Sequence, residues 1–238
     1  MPPAGTSRVT SPGQPPVLVE QGSAGELTIG LNRPARKNAI DLETVQALRA
    51  TLAGARASAV VLCSTSPGIF CAGADVKIDA GERAEVSRNL YALYREMLAA
   101  PVPIVAALDG AAVGGGAQLA VACDLRIASP RAWIQFVGPG HGLAVGAWAL
   151  PSLVGRGRAL DLCLSGRRVA ATEAHQIGLV DRIEEDPLAA STALAAEWGG
   201  LDAGAVGAVK AIISLAAERE AALELEARGN RSWEGWTA

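Results

Sequence analysis

The chain alternates short apolar segments with longer amphipathic ones. Leu27, Ile29 and Leu31 alternate with polar or small residues, which predicts a half-buried strand. Continuous apolar runs at 59–63 and 104–108 predict strands that are covered on both faces. The glycine-rich stretch at 110–116 follows the second of these runs directly and precedes a further apolar segment.

Two amphipathic helices are predicted between these strands. Asp41 can cap the first helix, and Pro101 ends the second. The predicted buried faces are Leu42, Val45, Leu48 and Leu52 in the first helix, and Val86, Leu90, Leu93 and Met97 in the second. The alternation of strand and helix predicts an α/β fold with right-handed crossovers.

The chain divides into three regions by composition. Residues 1–16 are rich in proline and small polar residues, which predicts a flexible leader with no apolar signal core. Residues 17–185 contain the predicted strands and form the predicted α/β body. Residues 186–238 include a stretch rich in Ala, Glu and Leu, and we expect two or three helices there.

Composition narrows the classes of function. With 50% hydrophobic residues, 19% charged residues and a net charge of −3, the chain has a globular composition and no electrostatic footprint for nucleic acid or an anionic membrane. No apolar run is long enough to span a membrane. The cysteines lack metal-ligand spacing, so we expect reduced thiols in a cytoplasmic protein and no metal site. They are Cys63, Cys71, Cys123 and Cys163.

Two strand-to-helix turns carry candidate chemistry. Gly114, Gly115 and Gly116 open a predicted helix, whose first amides have no internal partner and lie at the positive end of the helix dipole. The stretch 71–75, "CAGAD", repeats this design. If the two preceding strands are close, two bare amides converge on one carbonyl oxygen and form an oxyanion hole. The alternative is that the glycines only allow tight packing of strand on helix. Neither a dinucleotide-binding pattern nor a phosphate-binding Walker loop matches these turns.

Five stretches identify a family resemblance when taken in order. They are "LNRPARKNAI" (31–40), "FCAGADVK" (70–77), "PIVAALDGAAVGGGAQLAVACDLRIAS" (103–129), "GHGLAVGAWALPSLVG" (140–155) and "LSGRRVAATEAHQIGLVDRI" (164–183). The chain resembles the crotonase superfamily, also called the enoyl-CoA hydratase/isomerase family. The resemblance implies a spiral of strand–strand–helix repeats, followed by a C-terminal helical region that forms homotrimers or homohexamers. It also implies acyl-CoA thioesters as substrate or ligand, with no separate cofactor.

The resemblance assigns candidate site residues. The amides of Ala74 and Gly115 correspond to the family's oxyanion hole. The residues expected at the coenzyme A thioester are Ala72, Ala74, Asp75, Val76, Lys77 and Gly114, with Arg33, Arg36 and Lys37 as a basic loop that either meets the phosphates or is merely solvated. Trp148, Trp133 and Phe136 either line an acyl pocket or belong to the core.

The chain departs from the family at the two positions where hydratases carry glutamates. These positions are Gln118 and, by alignment without a gap, Gly138. A glutamine cannot take a proton from water near neutral pH, and glycine has no side chain, so we expect weak hydratase activity. His141 is a possible replacement acid or base, although a histidine between glycines is commonly just exposed. Asp75 is expected to cap the helix that follows.

Three other carboxylates, Asp79, Glu82 and Glu85, precede or begin the helix that usually borders the acyl pocket. Any of them could reach into the pocket, and none stands out as a replacement acid or base.

Three functions remain open. The chain is an enoyl-CoA hydratase or isomerase of fatty-acid metabolism with unusual or little acid–base chemistry, a non-catalytic fatty acyl-CoA binder or carrier, or a catalyst of another enolate-forming reaction such as decarboxylation.

Overall fold

The structure is a computed structural model that describes residues 14–215, 223–224 and 226–228. Most of the predicted flexible leader, 1–16, lies outside the described residues. Its last residues are held by Asn32, whose backbone N–H donates to Pro16 O at 2.8 Å and whose side-chain Nδ2 donates to Pro15 O at 3.0 Å.

The described strands form two sheets. In spatial order, the larger sheet contains β1 (Val17–Gln21), β2 (Leu27–Leu31), β3 (Val60–Ser64), β5 (Ile104–Leu108), β7 (Leu125–Ala128) and β10 (Arg182–Ile183). The smaller sheet contains β4 (Gly68–Cys71), β6 (Gly110–Val113), β8 (Trp133–Gln135) and β9 (Val169–Ala170). Pairing is parallel except at β1–β2 and β8–β9.

Pairs of strands alternate with helices in the first half of the chain, and helices predominate in the second half. The helices are α1 (Leu42–Gly54), α2 (Ala80–Ala99), α3 (Gly115–Ala122), α4 (Leu150–Val154), α5 (Arg156–Ser165), α6 (Ala171–Gln176), α7 (Pro187–Gly199) and α8 (Ala203–Leu215). The chain passes from β3 to β4 and then α2, and from β5 to β6 and then α3, so each turn places one strand in each sheet before a helix. The predicted α/β spiral of strand–strand–helix repeats is confirmed.

The main core lies between the larger sheet and the first helices. Leu27, Ile29 and Leu31 all face this core, as their alternation predicts. The predicted face of α2 is buried completely, whereas only Val45 and Leu48 of the α1 face are buried and its two terminal leucines are partly exposed. Asp41 caps α1 as expected, because its carboxylate accepts the Thr44 N–H at 3.0 Å.

The C-terminal helices pack directly on this body. On α7, Leu194, Ala195 and Trp198 cover the face of the larger sheet opposite the main core. Residues 223–224 and 226–228 are helical, and Leu223 and Ala227 are buried in the main core. The chain that follows residue 185 therefore supplies part of the covering of the α/β body.

No helix of the described residues combines the length and the apolar character that crossing a membrane requires. The four cysteines are free, and burial raises the pKa of the Cys71 thiol to about 12, so this thiol stays protonated.

Candidate active site

The two candidate oxyanion turns lie side by side. Because β4 and β6 are parallel neighbours, the loops that leave their carboxyl ends meet at the same edge of the smaller sheet. Ile40 forms a parallel bridge with Ala74, in which Ile40 N–H donates to Gly73 O and Asp75 N–H donates to Ile40 O, both at 2.8 Å. This pattern directs the Ala74 N–H away from Ile40. A Cβ built on Gly115 would lie 3.4 Å from Ala74 N, so both amides border one space.

The three glycines of the second turn have different roles. Gly114 has φ +53° and ψ −118°, a backbone conformation that favours glycine. A Cβ on Gly116 would lie 2.4 Å from Cys71 O, so glycine there allows α3 to pack against the end of β4. A Cβ on Gly115 would meet only ordinary contacts of 3.4 Å or more. Packing therefore explains Gly116 but not Gly115, which borders the cavity.

A cavity of about 180 Å³ opens beside these amides. One face of α2 forms a wall, with Arg83, Ser87, Leu90, Tyr91 and Tyr94. Val137, His141, Leu143 and Val145 line the cavity from the segment after β8, and Gln118 lines it from α3. The first turn contributes residues 72–76 and the second contributes Gly114 and Gly115.

The sequence analysis expected α2 to border the acyl pocket, but it did not identify the side chains of this helix that line the cavity. Of the carboxylates considered there, Asp79 caps α2 by accepting Glu82 N–H at 3.0 Å, and neither Glu82 nor Glu85 is among the residues lining the described cavity. The spacing of Arg83, Ser87, Leu90 and Tyr94 is that of one helix face. This spacing in the sequence is the pattern from which these lining residues could have been predicted.

Gln118 is buried and held in one orientation. Its Oε1 accepts hydrogen bonds from Trp148 Nε1–H at 2.9 Å and from Gly146 N–H at 3.2 Å. Both partners are donors only, so the carboxamide oxygen must face them and the Nε2 group keeps its donors for other partners. Gln118 therefore offers hydrogen-bond donors and no base.

The basic loop is tied to the first turn. Arg36 donates to both carboxylate oxygens of Asp75, at 2.9 and 2.7 Å, and Arg33 approaches the same carboxylate at 3.6 Å. Burial alone would raise the pKa of Asp75, but hydrogen bonds from Arg36 and Lys77 N–H, with the charges of both arginines, hold it below its usual value. The expectation that Asp75 caps a helix is wrong, because Asp79 caps α2 and Asp75 instead accepts Lys77 N–H at 3.0 Å in a turn. Lys37, Val76 and Lys77 are exposed.

The sequence model of the enoyl-CoA hydratase/isomerase family matches residues 21–230. The chain belongs to this family.

Individual members of the enoyl-CoA hydratase/isomerase family agree with the match. A probable enoyl-CoA hydratase of Mycobacterium leprae is 41% identical over 186 residues, which cover 74% of each chain. The mitochondrial enoyl-CoA hydratase domain-containing protein 2 of Homo sapiens is 39% identical over 172 residues, which cover 66% of this chain and 58% of that protein. Among solved structures, an enoyl-CoA hydratase/isomerase from Xanthobacter autotrophicus has a TM-score of 0.81 with 28% identity and covers 92% of this chain and 88% of that one.

The loop after β8 leaves no room for a side chain at Gly138, where the sequence analysis expected the second glutamate position. Gly138 is buried, and a Cβ there would lie 2.7 Å from Leu143 O and 3.1 Å from Val145 N, both in its own loop. The residues that line the cavity from this loop include Val137 and His141 but not Gly138. A side chain at Gly138 therefore requires the loop to move.

The candidate aromatic residues lie behind the cavity or away from it. Trp148 is 2% exposed and stacks on Tyr94 with ring centroids 6.1 Å apart, so it supports Gln118 and Tyr94 from behind. Phe136 is a fully buried core residue. Trp133 is half-buried under the Arg168 guanidinium, 4.1 Å from the ring centroid.

Glu226 is a buried carboxyl that the sequence analysis did not single out. Its Oε1 accepts the Tyr91 hydroxyl at 2.9 Å and Gly146 N–H at 3.3 Å, and its Oε2 accepts Trp148 N–H at 3.2 Å. Burial raises the pKa of Glu226 to about 7, against the opposing effect of these hydrogen bonds. No local signal marks this residue, because its neighbours in space come from α2 and from residues 146–148.

Among the described residues, no group of three or more histidine, cysteine, aspartate or glutamate side chains could hold a metal ion.

Proposed function

We propose that this protein binds an acyl-CoA thioester and holds the thioester oxygen between the Ala74 and Gly115 amides. The observation that carries the proposal is the approach of these two turns at the mouth of the cavity, where the position of a Gly115 Cβ is 3.4 Å from Ala74 N. Two uncovered amides that face one space stabilise the negative charge of an enolate oxygen. Each such donor is typically worth about 100-fold or more in rate.

The coenzyme A part would lie along the first turn. The exposed residues Val76 and Lys77 follow Ala74 there, and Ala72 also lines the cavity. Arg36 is bound to Asp75 but remains partly exposed, with 38% of its side chain accessible. We propose that Arg36 and Lys37 meet the phosphates, with Arg33 holding the loop through Asp41 and Asp75.

Hydration of a conjugated double bond is proposed to be slow. The reaction requires a base for water and an acid for the α-carbon. Gln118, at the proposed position of one family glutamate, has its only side-chain acceptor occupied by Trp148 and Gly146. Gly138, at the proposed position of the other, has neither a side chain nor room for one. Enolate formation without addition of water, as in isomerisation or decarboxylation, makes smaller demands on these two positions.

A non-catalytic acyl-CoA carrier is the second candidate. The observation that favours it is the same fixed carboxamide, since Gln118 presents to the cavity a group that can bind an oxygen atom but cannot exchange a proton with it. Carrier and enzyme share the same ligand and differ only in turnover.

The proposed assembly is a homotrimer or homohexamer. On α8, the large apolar side chains Val209, Ile212 and Ile213 are more than half exposed in the single chain, which favours burial against another copy. The molar mass from light scattering at micromolar concentration tests this proposal, and a monomer would contradict it.

Two measurements test the function. Calorimetric titration with a series of saturated acyl-CoA thioesters, using free coenzyme A as the control ligand, is expected to give binding that depends on the acyl group. Absence of binding for every chain length would overturn the proposal.

The second measurement follows the hydration of crotonyl-CoA by the loss of its enoyl absorbance. The hydration rate is expected to be far below a typical enzyme turnover of about 10 per second. A turnover of that size would refute the argument from Gln118 and Gly138.

A further inference from the structure

The buried carboxyl of Glu226 lies directly behind the wall of the cavity. Tyr91 lines the cavity and donates its hydroxyl proton to Glu226 Oε1 at 2.9 Å. Glu226 itself is 5% exposed and is not among the lining residues, so it reaches the cavity through Tyr91. The pair joins the C-terminal helical segment to the middle of α2.

Tyr91 lines the same cavity as Ala74 and Gly115, and Tyr94 links it to the second turn. Its ring contacts Tyr94 edge to face, with centroids 5.7 Å apart, and the Tyr94 hydroxyl donates to Gly115 O at 3.0 Å. Leu90 of the same helix turn lies 3.5 Å from the position of a Gly115 Cβ. A thioester whose oxygen is held by Gly115 and Ala74 therefore has its first carbons beside this part of α2.

The surroundings of Glu226 suit a carboxyl that changes protonation near neutral pH. The segment 146–148 offers it backbone N–H groups, and Gln118 on α3 is a neutral amide that shares the Gly146 N–H. The ionisable groups that feel its charge include Tyr91 and Tyr94 on α2 and Cys163 on α5, which are all neutral when protonated. Arg83 and His141 line the same cavity. Burial among such groups keeps the pKa of Glu226 at about 7.

We propose that Glu226 and Tyr91 together exchange a proton with the α-carbon of the bound acyl group, in place of the family's two glutamates. This inference rests on the proposed function, because it requires an acyl-CoA thioester in the cavity. Tyr91 is the group that touches the acyl chain, and Glu226 acts through Tyr91 as the positioning residue that holds the proton.

The proton transfer is balanced as follows. The α C–H bond breaks, and its electron pair moves onto the thioester oxygen between the Ala74 and Gly115 amides. The α-proton bonds to the Tyr91 hydroxyl oxygen while the proton of that hydroxyl moves to the carboxylate of Glu226. Return of the same proton to the α-carbon restores the thioester, whereas return after the Tyr91 hydroxyl has traded its proton with solvent replaces the α-hydrogen by a solvent hydrogen. Return to the γ-carbon of an unsaturated chain shifts the double bond.

Deuterium exchange tests the inference without requiring a known physiological substrate. Butyryl-CoA is incubated with the protein in heavy water, and uptake at the α-carbon is followed by mass spectrometry between pH 5.5 and 8.5. The wild-type rate is expected to rise with pH through about 7 and then level, because the carboxylate form is the one that accepts the proton. Glu226→Gln and Tyr91→Phe are each expected to lower the rate at pH 8 by about 100-fold or more and to leave the affinity for butyryl-CoA unchanged.

Glu224→Gln is the matched control. Glu224 lies on the same helical segment as Glu226 but pairs with Arg95, and its side chain is 37% exposed. This variant is expected to keep the wild-type rate and its pH dependence. A purely structural role for Glu226 would lower the rate without removing the rise near pH 7.

The outcomes separate the two proposals. If no butyryl-CoA binds, the proposed function itself is overturned. If it binds and no exchange occurs in the wild type, or if Glu226→Gln keeps the rise with pH, the inference on Glu226 fails while acyl-CoA binding stands. If Glu226→Gln does not fold, Tyr91→Phe decides, since undiminished exchange in that variant would remove the proposed route.

Discussion

Gln118 and Glu226 accept hydrogen bonds from the same donor, which makes the effect of a second carboxylate predictable. Their Oε1 atoms lie 3.2 and 3.3 Å from Gly146 N. Gln118→Glu would therefore place two carboxyl groups across one amide. At low pH, Glu226 is protonated and the new group has little to oppose it. At high pH, both are ionised and repel each other.

The size of the repulsion follows from this geometry. Two oxygen atoms bound to one nitrogen at these distances are at most about 6.5 Å apart, and two unit charges at that separation repel by about 2.5 kcal/mol at an effective dielectric constant near 20. The pair can avoid part of this cost by keeping one proton. We therefore expect a coupling free energy of about 2 kcal/mol at pH 8.5, which disappears near pH 5.5.

A double-mutant cycle measures this coupling. The free energy of unfolding in urea is determined for the wild type, Gln118→Glu, Glu226→Gln and the exchanged double variant, all at one protein concentration. Gln118→Glu should cost about 2 kcal/mol more at pH 8.5 when Glu226 is present than when glutamine replaces it. Additive effects at pH 8.5, or the same coupling at both pH values, would show that the two side chains do not share the Gly146 amide.

Three other changes have outcomes that the structure fixes. Gly115→Ala should keep or slightly raise the melting temperature, since alanine favours helix, while its methyl group 3.4 Å from Ala74 N obstructs the oxygen site. The rate of deuterium uptake at the α-carbon of butyryl-CoA should then fall by about 100-fold. An unchanged rate would contradict the assignment of the Gly115 amide to the oxyanion hole. Gly138→Glu should lower the free energy of unfolding in urea by about 1–3 kcal/mol, because its Cβ would lie 2.7 Å from Leu143 O, and it should not raise crotonyl-CoA hydration; a stable, faster variant would contradict this account of the loop. The pKa of Glu226 is raised from 4.5 to about 7, so its contribution to stability is complete below pH 4.5 and is lost as pH rises through about 7. The wild type should therefore lose about 3 kcal/mol relative to Glu226→Gln between pH 4.5 and 8.5 in urea denaturation, and parallel curves would refute the raised pKa.

The predictions from sequence succeeded where one segment carries its own signal. The cap at Asp41 and the buried face of α2 depend on spacing within a single helix, and both are confirmed. The fold followed from five ordered stretches, and the family match confirms it. The roles proposed for Ala74 and Gly115 stay predictions, although the two turns lie together as expected.

The errors and omissions arose where partners come from distant segments. Asp75 resembles a helix cap in sequence, but Arg36, 39 residues earlier, binds its carboxylate. Tyr91 follows Leu90 in α2, and spacing within the helix does not distinguish a residue that lines a cavity from one in the core. Glu226 lies 135 residues after Tyr91, and nothing near it in the sequence indicates a buried carboxyl.

The sequence by itself determined the strand–helix order, the glycine turns and the presence of an amide at position 118. Only the tertiary structure decided which side chains surround Gln118, and it also separated Gly116, which packing requires, from Gly115, which borders the cavity. The physical reason is that periodicity, caps and backbone conformation are local properties of the chain. By contrast, Glu226 is buried only when α2, α3 and the C-terminal segment pack together. The same packing lets Gln118 and Glu226 share the Gly146 amide.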